Sequence, residues 1–421
     1  MVGRVSGGTA SGLVEPAYRV ARVTDLAGVQ RRTIAVLSAG QVLGGISFGA
    51  TVSLGAVLAA EISGDDALSG LATAAITLGT ALTAVPLAAL ARARGRRPAL
   101  ATGMAIALVG VGLVVVAVPI ASFAVLLTGF ALIGAGQAAN LQSRFAATDL
   151  ATDASRGRDL SIVVWTTTVG AVLGPNLVGP GEVLGDLVGM PPLTGPYLFT
   201  IVAQLAGIAL YLVALRPDPL LLAQQVVAAH HAAAERIARA DRPQAAGYAT
   251  LAVVGAHGVM VSIMAMTPIH LLHHGATLTI VGLTISLHIA GMYALSPVFG
   301  LLADRWGRVP TILLGCGILA GCVAVIAFGQ HDTTAVTIAL VLLGLGWSAV
   351  TVSGSALLTE ASAEDVRTQR QGRTDFAMSL VAAAGATGAG GVLAWVGFNG
   401  LALFALPIIV VMVLLTPLGR R

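Results

Sequence analysis

Twelve apolar stretches of about 20 residues, divided by short loops whose basic residues all fall on alternate sides, constrain this chain more than any other feature. They fall near 34–60, 68–91, 99–118, 122–147, 160–182, 195–215, 247–269, 277–302, 309–328, 333–358, 374–397 and 400–417. At a rise of 1.5 Å per residue, about 20 residues cross a hydrocarbon core of about 30 Å. Long apolar segments of this kind satisfy their backbone groups in lipid as helices, not as a barrel. The predicted fold class is therefore an all-α membrane protein with twelve transmembrane helices. The composition agrees: 56% of the 421 residues are hydrophobic and only 10% charged, outside the range of soluble domains.

All 23 basic residues are Arg. They lie in the N-terminal tail, at or after the ends of the even-numbered spans (Arg144, "RARGRR", "RGRD", "RPDP", "DRWGR", "VRTQRQGR") or at the C-terminus. By the positive-inside rule both termini are expected to be cytoplasmic. This placement explains the net charge of +4 better than affinity for nucleic acid does. Residues 1–33 are polar with no apolar run ahead of the first span, so that span is expected to direct insertion. Cys316 and Cys322 share one apolar stretch and read as small core residues. No G-x-x-x-x-G-K-[ST] loop, catalytic triad or nucleic-acid module is present, which argues against an ATP-driven pump and against an enzyme.

The two halves echo each other. "ARARGRRP" (91–98) answers "ADRWGRVP" (303–310), and "TDLATDASRGRD" answers "TEASAEDVRTQRQGRTD". The expected organisation is a tail (1–33), a six-helix bundle (34–215), a linker with a surface helix (216–246) and a second six-helix bundle (247–418). His230 and His231 are assigned to the solvated face of that linker.

"GLLADRWGR" (300–308) resembles the loop motif of the major facilitator superfamily. The resemblance implies the major facilitator fold, with two bundles rocking about a central cavity. It also implies a conformational latch at Asp304, Arg305, Gly307 and Arg308. The first copy carries Arg92 where the acidic residue should stand. "GAVLGPNLVGP" (170–180) looks like the Gly/Pro pattern of the superfamily's antiporters and is expected to kink and pack the fifth span. Taken alone it favours a proton-linked exporter of small organic molecules or drugs. No Asp or Glu falls mid-span, and Arg144 reads as an anchor at the end of the fourth span.

Four of the nine Met and five of the eight His fall between 257 and 292. His257, Met260 and Met264 share one face of the seventh span, and His288 and Met292 are i, i+4 on the eighth. As antiparallel neighbours, these two spans would present thioether and imidazole at mid-membrane, a donor set that favours Cu(I) over Mg²⁺, Ca²⁺ or zinc. Met packing and a His proton relay are the competing readings. "MVSIM" and "HIAGM" resemble the bacterial copper-importer branch of the superfamily. That resemblance makes Met260, Met264, His288 and Met292 the copper ligands and implies import for cytochrome c oxidase assembly. Met266, His270, His273 and His274 would collect metal near the outer mouth, and His257 is a candidate proton site. No resident cofactor is expected: copper, free or in a small complex, is the cargo of a monomeric carrier whose other partner is the lipid bilayer.

Overall fold

The computed structural model describes residues 25–420 apart from 66, 67, 69 and 234–240. The expected tail lies outside them up to residue 24. Helix α1 (Leu26–Ser63) begins earlier than its apolar run. Asp25 caps it, accepting from the Gly28 N–H at 2.7 Å. Gln30 is buried and donates to the Ala147 carbonyl (2.8 Å) and Asp159 Oδ2 (2.9 Å), so this polar segment is helical because its side chains find protein partners.

The first bundle continues with α2 (Gly70–Arg94), α3 (Arg96–Ala117), α4 (Phe123–Ala146), α5 (Arg156–Asn176), α6 (Val178–Val188) and α7 (Tyr197–Ala214). The fifth span breaks between α5 and α6, inside "GPNLVGP", where Pro180 has no N–H to continue the last turn of α5. Small residues let the helices touch: a Cβ on Gly79 would lie 1.8 Å from the Ala131 carbonyl oxygen. Helix α8 (Pro219–Ala233) lies within the linker. The side chains of His230 and His231 lie outside the described residues.

The second bundle comprises α9 (Pro243–His273), α10 (Leu278–Tyr293), α11 (Ser296–Trp306), α12 (Arg308–Gly329), α13 (Thr333–Ala361), α14 (Glu364–Leu403) and α15 (Leu406–Leu414), with a final 3₁₀ turn (Thr416–Arg420). Helices α10 and α11 form the eighth span, broken ahead of Pro297. Helix α14 carries the eleventh span and opens the twelfth after a kink at Gly397 (φ 71°). Among the described residues these helices make up twelve spans, and no strand occurs. Cys316 and Cys322 are buried and unbridged in the second core.

Polar "VRTQRQGRTD" is helical, not a loop, since Arg367, Gln371, Thr374 and Asp375 are buried against protein. Asp241 ties the linker to this helix, accepting from Arg370 at 2.6 and 2.7 Å and from the Ala363 N–H at 3.0 Å. The Arg370 bonds and the backbone bond hold its carboxyl below the usual carboxylate range.

The repeated loop motif has one backbone shape in both copies, with Gly95 and Gly307 at φ 94° and 100°. Because a Cβ on Gly307 would meet nothing closer than 3.5 Å, Gly307→Ala tests the conformation alone. It is expected to cost about 1–3 kcal/mol and to lower the thermal unfolding midpoint. Gly317→Ala, with open space around it, is expected to leave that midpoint unchanged or raise it.

Candidate functional site

The described polar contacts between the bundles gather at the arginine-rich end. Asp304, at the end of α11, accepts from the backbone N–H groups of Gly157 (2.9 Å) and Arg158 (2.8 Å) in the first turn of α5. A carboxylate there meets both the free donors and the positive end of the helix. Arg308 pairs with Asp304 (2.8 Å) and Glu360 (3.3 Å), and it donates to the Asp153 carbonyl (2.6 Å). Gly307 sets the turn between Asp304 and Arg308, whereas Arg305 is exposed.

The other copy works differently. Arg92 is exposed. Arg96, the counterpart of Arg308, is fully buried and forks onto Asp149 (2.8 and 3.2 Å), while its Nη2 also reaches Gln371 Oε1 in the second bundle at 2.7 Å. Burial pushes the Asp149 carboxyl up from its ordinary value, against the pull of Arg96. The acidic latch is therefore one-sided, and the opposite side closes through Arg96–Gln371 and close packing of Ala88 on Gly372.

Farther in, Arg144 of α4 forms a buried ion pair with Asp375 of α14, joining the two bundles. Arg144, expected as an end anchor, is instead paired across the bundles, and its buried partner Asp375 stands at the start of the eleventh span. Arg144 Nε and Asp375 Oδ2 have no hydrogen-bond partner, so the pair retains one free donor and one free acceptor. Arg144 is also within electrostatic reach of His257 on α9 and Tyr293 on α10. The Trp347 indole of α13 donates to His257 Nδ1 at 3.0 Å. Trp347 meets Tyr293 edge-on, with centroids 5.8 Å apart. Tyr293 in turn packs against a cluster shared by the two bundles, Leu160 and Val164 of the first and Val352 of the second. An aromatic corner and a buried ion pair thus converge where the halves meet. Among these residues only His257 and Arg144 were singled out from sequence, each for a different task. A lone Trp in "GLGWSAV" was the available signal for the rest.

The Met/His set is placed otherwise than its spacing suggested. Helices α9 and α10 are consecutive but are not each other's main packing partners, since α13 packs against both. His288 is fully buried, with Nδ1 on the Leu340 carbonyl of α13 at 2.8 Å. The backbone of His288 and Met292 lies against Gly344 of α13, where an added Cβ would meet the His288 oxygen at 2.4 Å. Met260 and Met292 are buried in the second core, and Met264 and Met266 pack half-buried against it. Among the described residues, no three His, Cys, Asp or Glu side chains are grouped to hold a metal ion.

At the end opposite the arginines, His270 Nε2–H donates to the Gln330 carbonyl (2.7 Å), and the ring stacks on Phe398 (centroids 4.2 Å). Together with His273, His274 and Leu393 these residues line a cavity of about 470 Å³.

The model of the Major Facilitator Superfamily matches this chain over residues 37–277 and 248–420. An uncharacterized MFS-type transporter of Bacillus subtilis, YdeG, is 38% identical over 387 residues, which cover 89% of this chain and 88% of that protein. The riboflavin transporter RfnT of Brucella anthropi is 30% identical over 397 residues, 93% of this chain and 96% of that protein. Among solved structures, the human organic anion transporter MFSD10 superposes with a TM-score of 0.74 at 15% identity, over 92% of this chain and 99% of that one. These relatives give no support to the copper-importer branch, whose expected ligands the fold places in core packing.

Proposed function

The chain belongs to the major facilitator superfamily, and from that premise we propose that it is a secondary transporter of a planar, hydrogen-bonding heterocycle of the flavin type. The observation that carries the proposal is the Trp347–His257–Tyr293 corner beside the Arg144–Asp375 pair. Aromatic walls meeting at an edge grip a flat ring by stacking, worth about 0.5–1.5 kcal/mol per ring beyond its burial. The free donor on Arg144 and free acceptor on Asp375 complement the carbonyl and N–H of an imide edge. Apolar walls with a few convergent polar groups are the ordinary build of a small-molecule site. The riboflavin transporter among the relatives supports the same chemistry.

In this reading the arginine-rich end faces the cytoplasm of a bacterium, by the positive-inside rule. The ion pairs there seal that entrance while the solute site stays reachable from the other side. Rocking of the bundles then exposes the site inward.

Flux in proteoliposomes tests the proposal, with riboflavin and reduced copper offered in parallel. Riboflavin is expected to enter saturably, and Trp347→Ala to cut that flux about tenfold or more, the loss of a buried aromatic contact. Trp347→Phe is expected to keep part of it. Copper flux through the protein without riboflavin flux would reverse the assignment and return it to Met260, Met264, His288 and Met292.

A further inference from the structure

We propose that His274 and His331 form a binding site for a borderline divalent cation such as Zn²⁺, at the end of the molecule opposite the arginines and separate from the solute site. His274 ends the seventh span, and His331 lies in the short turn before α13. His274 Nε2 and His331 Nδ1 face each other at 3.2 Å. Two ligand nitrogens at 2.0–2.1 Å from a tetrahedral ion stand about 3.3 Å apart, so the rings already hold the spacing that such an ion requires.

Orientation supports the same assignment. His274 Nδ1 lies 2.9 Å from the His270 carbonyl, and because a carbonyl only accepts, the ring proton sits on Nδ1 and the Nε2 lone pair faces His331. A histidine whose other nitrogen donates to a carbonyl is the usual form of a metal-ligating imidazole. The facing proton on His331 is held less firmly. Gln330 fixes its own amide by accepting from the Asn399 N–H at 3.0 Å, and it meets His331 Nε2 only at 3.4 Å. When a cation binds, the proton leaves His331 Nδ1, and the ring is reprotonated at Nε2 from solvent. Both rings are exposed, and so is His273, so water completes the shell and no path through the protein is needed. Imidazole nitrogen selects zinc, copper or nickel over Mg²⁺ and Ca²⁺.

The site has a consequence for the fold. A bound ion ties the end of α9 to the start of α13, the helices that carry His257 and Trp347. Occupancy is therefore expected to stiffen the second bundle and raise its thermal stability.

The test is Zn²⁺ titration of the purified, tag-free full chain, with Mg²⁺ as the control ion. Wild type is expected to bind one Zn²⁺ per chain and to unfold at higher temperature in its presence. His274→Ala and His331→Ala are each expected to weaken binding at least about tenfold and to abolish the thermal shift. Neither substitution touches the solute site, so flux without zinc measures whether the variants are folded. Unchanged zinc binding in the double variant, or equal binding of Mg²⁺ by wild type, would overturn the proposal.

Discussion

Replacing Arg144 or Asp375 with Ala is expected to open the arginine-rich end of the molecule. The pair joins α4 of one bundle to α14 of the other, with both side chains almost fully buried. Removing one partner strands the other charge in a desolvated place, a loss of about 3–5 kcal/mol. That loss falls on the closed arrangement, because only there do the two side chains meet. Separation of the bundles lets water reach the orphaned charge, so the equilibrium is expected to shift toward the open arrangement by about 100-fold or more. A Ser161→Cys reporter reads this directly, since Ser161 is wholly buried at the junction of α5 with α11. The native Cys316 and Cys322 lie inside the second core and contribute little background. The reporter is expected to label rapidly in either single variant and slowly in the parent. Arg144→Met combined with Asp375→Leu leaves no uncompensated charge and is expected to restore protection without restoring transport. Equal protection in parent and single variants would show that the pair does not hold the bundles together.

Gly300→Val is expected to have a comparably large effect by the opposite physical route. A Cβ at Gly300 would lie 2.3 Å from Ser161 Oγ and 2.5 Å from the Gly157 carbonyl oxygen. The hydroxyl can turn away, but the backbone oxygen in the first turn of α5 cannot. The clash lies between bundles, so the closed arrangement is penalised by about 3 kcal/mol or more while each bundle stays intact. Solute flux is expected to fall about 100-fold with little change in the yield of folded protein. Gly79→Val provides the contrast, because its clash with the Ala131 carbonyl lies within the first bundle. Loss of transport together with loss of folded protein is expected there. If Gly300→Val also failed to fold, the α5–α11 junction would be part of the bundle core and not a moving contact.

The same residues show how far the sequence could be read. The spans and the repeat were legible because hydrophobic length and loop Arg placement are local properties. The loop motif was legible in both copies, and the structure adds that Gly95 and Gly307 share one backbone shape. What the altered first copy does was not: Arg92 is exposed, and the closure on that side comes from Arg96, whose partner Gln371 is 275 positions away. The pairing of Arg144 with Asp375 was not legible for a similar reason, since it spans 231 positions. Each stands close to polar sequence, which looks like a solvated boundary until the other bundle covers it. For the Met and His residues it was the packing partner that the sequence did not show. Adjacent spans were taken to be facing spans, but α13 packs against both α9 and α10 and takes up the His288 ring. Face periodicity says which residues share a side of a helix, and only tertiary packing says what that side meets.

The most direct measurement is equilibrium binding of riboflavin to the purified protein, read as quenching of flavin fluorescence by stacking on an indole. Wild type is expected to quench saturably, and Trp347→Ala to bind at least about tenfold more weakly. Trp395→Ala, at a site 77% exposed to solvent or lipid, is expected to bind as wild type does. Saturable quenching that survives unchanged in Trp347→Ala, or no quenching by wild type, would contradict an aromatic solute site at the junction of the two bundles.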